Sequence, residues 1–264
     1  ISIGAVGSAF GGRPSSMRFR WPADTWISRI GVSRSPGARL NRGTARISAA
    51  HGGRIDLGVG EALITGITRP FGQTLREVRH VLDPKPGHLP FGIHLMVAKN
   101  YSVFLADTTV NERPTAEDLA HIATETAAVA RRLGHEPRVA FLSYSTFGNP
   151  PGKWLENIRA AVALLDERQP GFEYEGEMAP DAALNPTVMK NYPFSRLSAP
   201  ANVLIMPGLQ SANISAKLLR ELVGNATIGP MLLGMEKPVQ IVPMTALAPD
   251  VLTLAVLAAA EVVG

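Results

Sequence analysis

The stretch ANVLIMPGLQSANISAKLLRELV, residues 201–223, decides the expected fold. It predicts a buried strand over Asn202–Pro207, a polar turn of Gly, Ser and Asn residues, and then an amphipathic helix. A Gly-Pro-punctuated apolar segment follows, then a second strand over Val239–Met244 and an acidic residue, Asp250. A strand that leads through a small-residue turn into a helix points the free N–H groups of that helix out of the carboxyl edge of a sheet. The pattern therefore predicts an anion site in an open α/β protein.

The composition supports a globular protein of one large or two modest domains. The chain has 264 residues, of which 45% are hydrophobic and 18% are charged. It contains no cysteine, which excludes disulfides, thiolate metal sites and a cysteine nucleophile, and favours the cytoplasm over secretion. The longest apolar run, Val251–Val263, is too short to span a bilayer and contains Glu261.

The first 53 residues differ in composition from the rest of the chain. They contain eight arginines and a single acid, Asp24, for a net charge of +7, whereas residues 54–264 carry a net charge of −3. Because the basic charge lies outside the expected globular part, nucleic-acid binding is disfavoured. An Arg- and Ser-rich, acid-poor segment is typical of an organelle transit peptide. The alternatives, a disordered tail or a fragment, are favoured over it. We expect residues 1–53 to be a poorly ordered leader.

From residue 54 onward, strand patterns alternate with helix patterns. Expected strands lie at Glu61–Thr68, Tyr101–Ala106, Arg138–Ser145 and Phe172–Met178, and expected helices at Phe71–Leu82, Thr115–Leu133 and Lys153–Arg168, the last with Trp154 facing inward. Thr115 and Asp118 form a capping-box pattern, and Gly134 is the expected residue after the helix. Apolar strands without alternation predict a parallel sheet that is covered on both faces.

Four polar loops follow these apolar strands, and in a parallel sheet such loops meet at one edge. They are Thr68–Arg76, Asp107–Asn111, Ser143–Gly148 and Gly208–Asn213. Their hydroxyls and flexible backbone suit a phosphate or an oxyanion. The usual catalytic and nucleotide-binding motifs are missing, and the six histidines have no metal-ligand spacing, so no metal site is expected. Glu177 and Asp181 could pair as acids, but we expect them to be solvated loop carboxylates.

Several segments resemble the phosphate acetyl/butyryltransferase family, in matching order and spacing. The segments are VFLADTTVNERPTAEDLAHIATETA (103–127), RVAFLSYSTFG (138–148), GEMAPDAALNP (176–186), ANVLIMPGLQSANISAKLL (201–219) and IGPMLLGMEKPV (228–239). The phrases GITRPFGQTLREVRHVLDPKPG (66–87) and DTTVNERP (107–114) are most similar to the copy of this domain at the carboxyl end of hybrid NADP-dependent malic enzymes.

The resemblance implies two three-layer αβα domains with mainly parallel sheets and a cleft between them, in an arrangement similar to isocitrate/isopropylmalate dehydrogenases. It places residues 54–99 and 237–264 in a partial first domain and residues 100–236 in the second. It implies an acyl-CoA or phosphate ligand, no covalently bound cofactor, and a dimer formed through the second domain. NADP and a divalent metal would belong to a malic enzyme portion outside this chain. The implied binding residues are Thr74, Arg76, Thr108, Asn111, Ser143, Tyr144, Ser145, Thr146, Gly148, Gln210, Ser211, Asn213 and Lys217.

This sequence departs from the family pattern where the chemistry is expected. Asp250 stands at the position of the family's catalytic Asp, but Pro243 and Met244 replace the family's Ser and Arg. Glu221 occupies the place of another family Arg, and Arg220 is expected to face elsewhere because one residue turns a helix by about 100°. Losing one charge-stabilising donor lowers a rate by roughly 10²–10³.

Three hypotheses follow from the match and its departures. The first is an acetyl-CoA-binding regulatory domain of an NADP-dependent malic enzyme, an oxidoreductase, with impaired transferase chemistry. The second is an active phosphate acetyltransferase in which Arg69, Arg76 or Lys217 replaces the lost groups. The third is a truncated fragment without an independent role.

Overall fold

The computed structural model describes residues 30–32, 61–97, 101–223 and 226–263, and within these ranges the chain forms nine strands and seven α-helices. The strands are β1 (Ile30–Val32), β2 (Ala62–Gly66), β3 (Phe91–Val97), β4 (Ser102–Ala106), β5 (Arg138–Leu142), β6 (Glu173–Met178), β7 (Val203–Ile205), β8 (Ala226–Leu233) and β9 (Val239–Val242). The helices are α1 (Phe71–Val78), α2 (Ala116–Arg132), α3 (Glu156–Arg168), α4 (Pro180–Leu184), α5 (Pro186–Met189), α6 (Leu209–Val223) and α7 (Ala248–Val263). A 3-10 turn at Lys153–Leu155 precedes α3.

The larger sheet has six strands in the order β6-β5-β7-β4-β3-β8. The first four are mutually parallel, whereas β3 pairs antiparallel with both β4 and β8. Phe104 and Ala106 are buried among residues of α2, α3 and α7. Val103 and Leu105, which alternate with them, are buried among residues of α4 and α6. Helices thus cover both faces, as the continuous apolar strands predict.

The smaller sheet has three parallel strands in the order β1-β2-β9. Leu63 of β2 and Ile241 of β9 pack with Leu75 and Val78 of α1. Ile64 belongs to the large cluster that also includes residues of α7. This sheet is therefore also covered by helices on both faces.

The chain passes between the two sheets at two neighbouring segments, one after α1 and one between β8 and β9. The Lys85 backbone N–H donates to the Gly234 carbonyl oxygen at 2.9 Å, and the Glu236 N–H donates to the Asp83 carbonyl oxygen at 3.0 Å. Gly234 has a φ of +80°, and a Cβ there would lie 2.3 Å from the Leu89 carbonyl oxygen. This close approach of the two segments requires a glycine.

The capping prediction for the second helix is confirmed in detail. The Thr115 hydroxyl accepts from the Asp118 backbone N–H at 3.2 Å, and the Asp118 carboxylate accepts from the Thr115 N–H at 2.8 Å. Gly134 follows the helix with a φ of +85°. The two helix ends were therefore set by residues that can be read directly from the sequence.

Some predicted elements differ from the structure. Trp154 was expected to face inward, but its side chain is 80% exposed, because it lies in the 3-10 turn before the 3.6-residue period of α3 begins. The helix expected over Phe71–Leu82 ends at Val78. β3 and β8 were not predicted, and they give the larger sheet its antiparallel edge. Within the described residues, no helix is long and apolar enough to cross a membrane.

Two observations bear on the predicted organisation of the chain. β1 lies within the segment that was expected to be a poorly ordered leader, and it pairs in parallel with β2. The rest of residues 1–53 lies outside the described residues. β3 belongs to the larger sheet, although the predicted boundary after residue 99 grouped it with the first unit.

Candidate functional site

A cleft of about 460 Å³ lies where the two sheets meet. Its walls come from the segments that follow β2, β4 and β9, from one face of α6, and from β3 and β8. The lining residues are Pro70, Phe71, His94, Thr109, Asn213, Ala216, Lys217, Arg220, Thr227, Pro230, Pro243, Met244 and Thr245. A cleft at the carboxyl ends of parallel strands is where open α/β proteins bind ligands.

One face of α6 supplies the cationic wall of the cleft. Asn213, Lys217 and Arg220 are spaced by four and then three residues, so they share one helical face. The Asn213 side-chain amide donates to the Thr108 carbonyl oxygen at 3.1 Å and ties α6 to the loop after β4. Two positive side chains therefore border the same space, which suits an anionic ligand.

The structure corrects the expectation about Arg220 and Glu221. Arg220 lines the cleft, whereas Glu221 does not, and the Glu221 side chain is 71% exposed. The Arg220 Nε donates to the Glu221 carboxylate at 3.2 Å. A Glu221 carboxylate that faced the cleft would repel a bound phosphate, and this geometry removes that repulsion. Neighbouring helix residues do differ in direction by about 100°, but it is Arg220, and not Glu221, that lies on the cleft face.

His94 contributes a neutral imidazole to the cleft. Its Nδ1 lies 2.8 Å from the Thr108 hydroxyl, and that hydroxyl donates to the Gly92 carbonyl oxygen at 3.1 Å. Because the hydroxyl has only one proton, Nδ1 is the donor to Thr108, and Nε2 keeps a free lone pair. Burial, followed by the nearby Arg220 charge, lowers the pKa of His94 to about 4. His94 therefore stays uncharged at neutral pH.

The loop after β4 is organised by the buried Asp107. Its carboxylate accepts from the backbone N–H groups of Gly92, Thr109 and Asn111 at 3.0, 2.8 and 2.7 Å. The Asn111 side-chain amide donates to the same carboxylate and to the Pro90 carbonyl oxygen. Asn111 is therefore committed to the loop and does not line the cleft.

Thr109 is the member of this loop that reaches the cleft. Its hydroxyl oxygen is buried and has no hydrogen-bond partner among the described residues. The hydroxyl lies against Gly92, where a Cβ would come within 2.0 Å of it. A buried hydroxyl without a partner is unfavourable, so a ligand that supplies the partner gains affinity.

The loop Ser143–Gly148 does not line the cleft, although it was expected to join the other three. Its hydroxyls are used within the protein: the Ser143 oxygen accepts from the Ser145 N–H at 3.1 Å, and the Thr146 oxygen accepts from the Ala179 N–H at 2.9 Å. The Tyr144 side chain is 59% exposed, outside the cleft.

Glu177 holds the Ser143–Gly148 loop in place through hydrogen bonds. It was expected to be solvated, but it is buried, and its carboxylate accepts from the Ser145 hydroxyl, the Gly148 N–H and the Arg159 guanidinium. Burial alone would raise the pKa of Glu177, but the hydrogen bonds from Arg159 and Gly148 outweigh burial and lower it. Asp181 is exposed, as expected, and its carboxylate accepts from the Ala182 N–H.

The remaining predicted binding residues lie away from the cleft lining. Thr74 is buried in α1 and its hydroxyl donates to the Pro70 carbonyl oxygen, while the Ser211 hydroxyl donates to the Gly208 carbonyl oxygen. Arg76 and Gln210 are exposed. Arg69, considered as a substitute cation, is paired with Glu77. Of the predicted binding residues, the cleft lining includes Asn213 and Lys217.

The residues at the expected catalytic positions offer no hydrogen-bond donor to the cleft. Pro243 and Met244 line it, and neither side chain can donate a hydrogen bond. Asp250 does not line the cleft. It lies in the first turn of α7, where its carboxylate accepts from the Leu247 N–H at 2.7 Å. In this geometry Asp250 is the third residue of α7, and its carboxylate reaches back to the N–H of the N-cap residue as the acid of a capping box does.

Comparison with known proteins shows that the chain is similar to members of one protein family. The profile of the family described as phosphate acetyl/butaryl transferase matches residues 43–259. The NADP-dependent malic enzyme of Rhizobium meliloti is 50% identical over 205 residues, which cover 78% of this chain and 27% of that protein. The phosphate acetyltransferase of Bacillus subtilis is 33% identical over 206 residues, which cover 77% of this chain and 64% of that protein.

A solved structure shows the same fold. The phosphotransacetylase from Streptococcus pyogenes superposes with a TM-score of 0.77 at 29% identity, over 82% of this chain and 67% of that chain. The expected α/β fold with a mostly parallel sheet and the resemblance to the family are thereby confirmed. The chain spans about a quarter of the length of the malic enzymes that it matches.

Proposed function

This chain belongs to the phosphate acetyl/butyryltransferase family, and from that premise we propose that it is an acyl-CoA-binding regulatory domain with impaired transferase chemistry. The observation that carries the proposal is the contrast within one cleft. Lys217 and Arg220 offer positive charge to an anion, whereas the family's Ser and Arg positions hold Pro243 and Met244. Binding is thus supported better than turnover.

Three features support binding of a phosphorylated acyl carrier. Two cations on one face of α6 attract its phosphates. The buried Thr109 hydroxyl needs a partner. The apolar wall formed by Phe71 and Met244 suits the acyl and pantetheine part, since ligand sites combine apolar walls with a few placed polar groups.

Two features argue against efficient acyl transfer. The donors that would steady developing charge are missing at Pro243 and Met244, and each such loss lowers a rate by roughly 10²–10³. Asp250, the expected base for the coenzyme A thiol, is occupied by the Leu247 N–H. A general base needs hydrogen-bond reach of the proton that it removes, and Asp250 does not line the cleft.

We propose further that the regulated activity is that of an NADP-dependent malic enzyme portion, which would bind the NADP and the divalent metal. The two sheets would correspond to two αβα units, the first of them partial, and the cleft between them would close on the ligand. Coupling would arise if acetyl-CoA prefers one arrangement of the units. The expectations of a cytoplasmic location and of a homo-oligomer remain predictions. The exposed Ile214, Leu218 and Leu222, at four-residue spacing on α6, support the latter.

Calorimetry and an enzyme assay on the 264-residue chain test the proposal together. We expect acetyl-CoA to bind at one site per chain, and we expect no thioester to form from acetyl phosphate and coenzyme A. Absence of acetyl-CoA binding, or robust thioester formation, would each contradict the proposal. In a protein that joins this domain to a malic enzyme portion, acetyl-CoA is expected to change the rate of malate oxidation.

A second candidate function is active phosphate acyl transfer. Arg220 in the cleft supplies a cation that the sequence had placed elsewhere, and His94 offers a free Nε2 as a proton acceptor. With a pKa of about 4, His94 would be about as strong a base as a carboxylate. Thioester formation that falls in His94→Gln would favour this candidate, and a chain without any turnover would eliminate it.

A further inference from the structure

A cluster of metal-ligating side chains lies outside the cleft, where α2 packs against the segment before β3. His121 and Glu125 are one helical turn apart, so both project from the same face. His88, from the segment before β3, lies beside them with its ring 5.1 Å from that of His121, centroid to centroid. One donor atom from each of the three residues lies within 4.8 Å of the others. None of the three lines the cleft.

We propose that His88, His121 and Glu125 form a binding site for a divalent transition-metal ion such as Zn²⁺. Two imidazole nitrogens and one carboxylate are a ligand set that zinc uses with water in a fourth position. Neutral nitrogen donors favour zinc, cobalt or nickel over calcium and magnesium, which prefer oxygen ligands. The six histidines showed no metal spacing in the sequence because His88 and His121 meet only in the folded chain.

The donor atoms, which lie within 4.8 Å of one another, must move closer together to share one ion. The His88 Nδ1 and the Glu125 carboxylate are 3.8 Å apart. Ligands about 2.1 Å from a tetrahedral ion lie about 3.4 Å from one another. The His88 and Glu125 side chains are 23% and 34% exposed, so both have room to turn, and a water ligand has access. Phe91 packs edge-on against His121, which limits the rotation of that ring.

One contact competes with the metal. The Leu89 backbone N–H donates to the His121 Nε2 at 3.3 Å, a long hydrogen bond that occupies the ring's lone pair. A metal ion that binds Nε2 replaces this donor. The Leu89 N–H, which is half-buried, then needs a water molecule as its hydrogen-bond partner. The ion would join the middle of α2 to the segment that leads into β3. The structural consequence is a crosslink between elements 33 residues apart (88 to 121) in the sequence.

Titration of the tag-free 264-residue chain with ZnCl₂ tests the site. We expect one Zn²⁺ per chain, and we expect Glu125→Gln and His88→Ala each to weaken binding at least tenfold, since loss of even an outer-shell partner weakens metal binding about 10–100-fold. The exposed His80→Ala is the matched control and should bind as the parent does. Equal affinity in Glu125→Gln and the parent, or equal loss in His80→Ala, would overturn the proposal.

Three further measurements complete the test, and the first two do not depend on the stability of the variants. Co²⁺ in place of Zn²⁺ should give the intense visible absorption of a four-coordinate ion, and the weak bands of an octahedral ion would count against the site. At a Zn²⁺ concentration that saturates the parent alone, the amide NMR signal of Leu89 should shift in the parent and stay in place in Glu125→Gln. At a hundredfold excess of Zn²⁺ over the Kd, the midpoint of thermal unfolding should rise by about 5–10 °C.

Discussion

Replacing Arg220 by alanine is the sharpest perturbation of the cleft. Two unit charges 4 Å apart interact by roughly 1 kcal/mol in bulk water and roughly 4 kcal/mol near a protein surface. The Arg220 side chain is 42% exposed, so the smaller values apply, and we take about 1.5 kcal/mol. Acetyl-CoA should therefore bind Arg220→Ala about tenfold more weakly than it binds the parent chain.

Two variants control the measurement, which is made by calorimetry at fixed ionic strength. Lys190→Ala removes an exposed cation outside the cleft and should leave the Kd unchanged. Glu221→Ala should change the Kd by less than about twofold, because a highly exposed carboxylate is well screened. If Glu221→Ala instead tightened binding tenfold while Arg220→Ala had no effect, the assignment of the two side chains would be refuted.

A second readout of Arg220→Ala comes from His94. The Arg220 charge lowers the pKa of His94, so its removal should raise that pKa. Burial is the larger cause, so His94 should nevertheless titrate below its ordinary value, as NMR titration of the ring protons would show. An unchanged His94 pKa in Arg220→Ala would mean that the guanidinium does not face the imidazole.

Three further predictions concern stability. Asp250→Ala should lower the free energy of unfolding by about 1 kcal/mol in urea, because it removes the acceptor of the Leu247 N–H, and it should leave acetyl-CoA affinity unchanged. The pKa of Glu177 is lowered on folding, so the stability that it contributes is present above its unfolded pKa and lost as the pH falls through its lower folded pKa. In Glu177→Gln, that acid-dependent loss in denaturation curves should vanish. Burial raises the pKa of Glu261 to about 7, so its charging opposes folding as the pH rises from about 4.5 to 7. Glu261→Gln should therefore be more stable than the parent at pH 8, by about 1–3 kcal/mol in urea, and lose this advantage near pH 4.

The elements that could be predicted from the sequence are those set by local residues. The capping box of Thr115 and Asp118 fixes the start of α2. An apolar run identifies β7 as a strand, whichever strands it pairs with in the sheet. β8 escaped prediction because Gly229 and Pro230 interrupt it, as they would a loop. β3 is a mostly apolar run after Pro90, so the sequence does carry a strand signal there. The expected alternation of strands and helices hid this signal, because β3 is followed directly by another strand, β4.

The cleft was only partly predictable, since its members come from distant segments. The shared face of Asn213, Lys217 and Arg220 follows from helical spacing alone, and that spacing could have identified Arg220. His94 and Thr109 meet the cleft through the antiparallel pairing of β3 with β4, which no local pattern encodes. Hydroxyls such as those of Ser143 and Thr146 look alike in sequence whether they bind a ligand or their own backbone.

The two chain crossings between the sheets lie side by side and are hydrogen-bonded to each other through Lys85 and Gly234, and through Glu236 and Asp83. Covalent links placed apart would resist rotation of one sheet against the other, whereas adjacent links act as a single pivot. The cleft lies between the same two sheets, so under the proposed function a ligand that closed it would swing one wall about this pivot, against the shared core that packs Ile64 with Phe91 and Ile93. A small displacement at Lys217 or Arg220 would then become an angular one that grows with distance from the pivot, and the proposed regulation of an attached protein would use this lever arm.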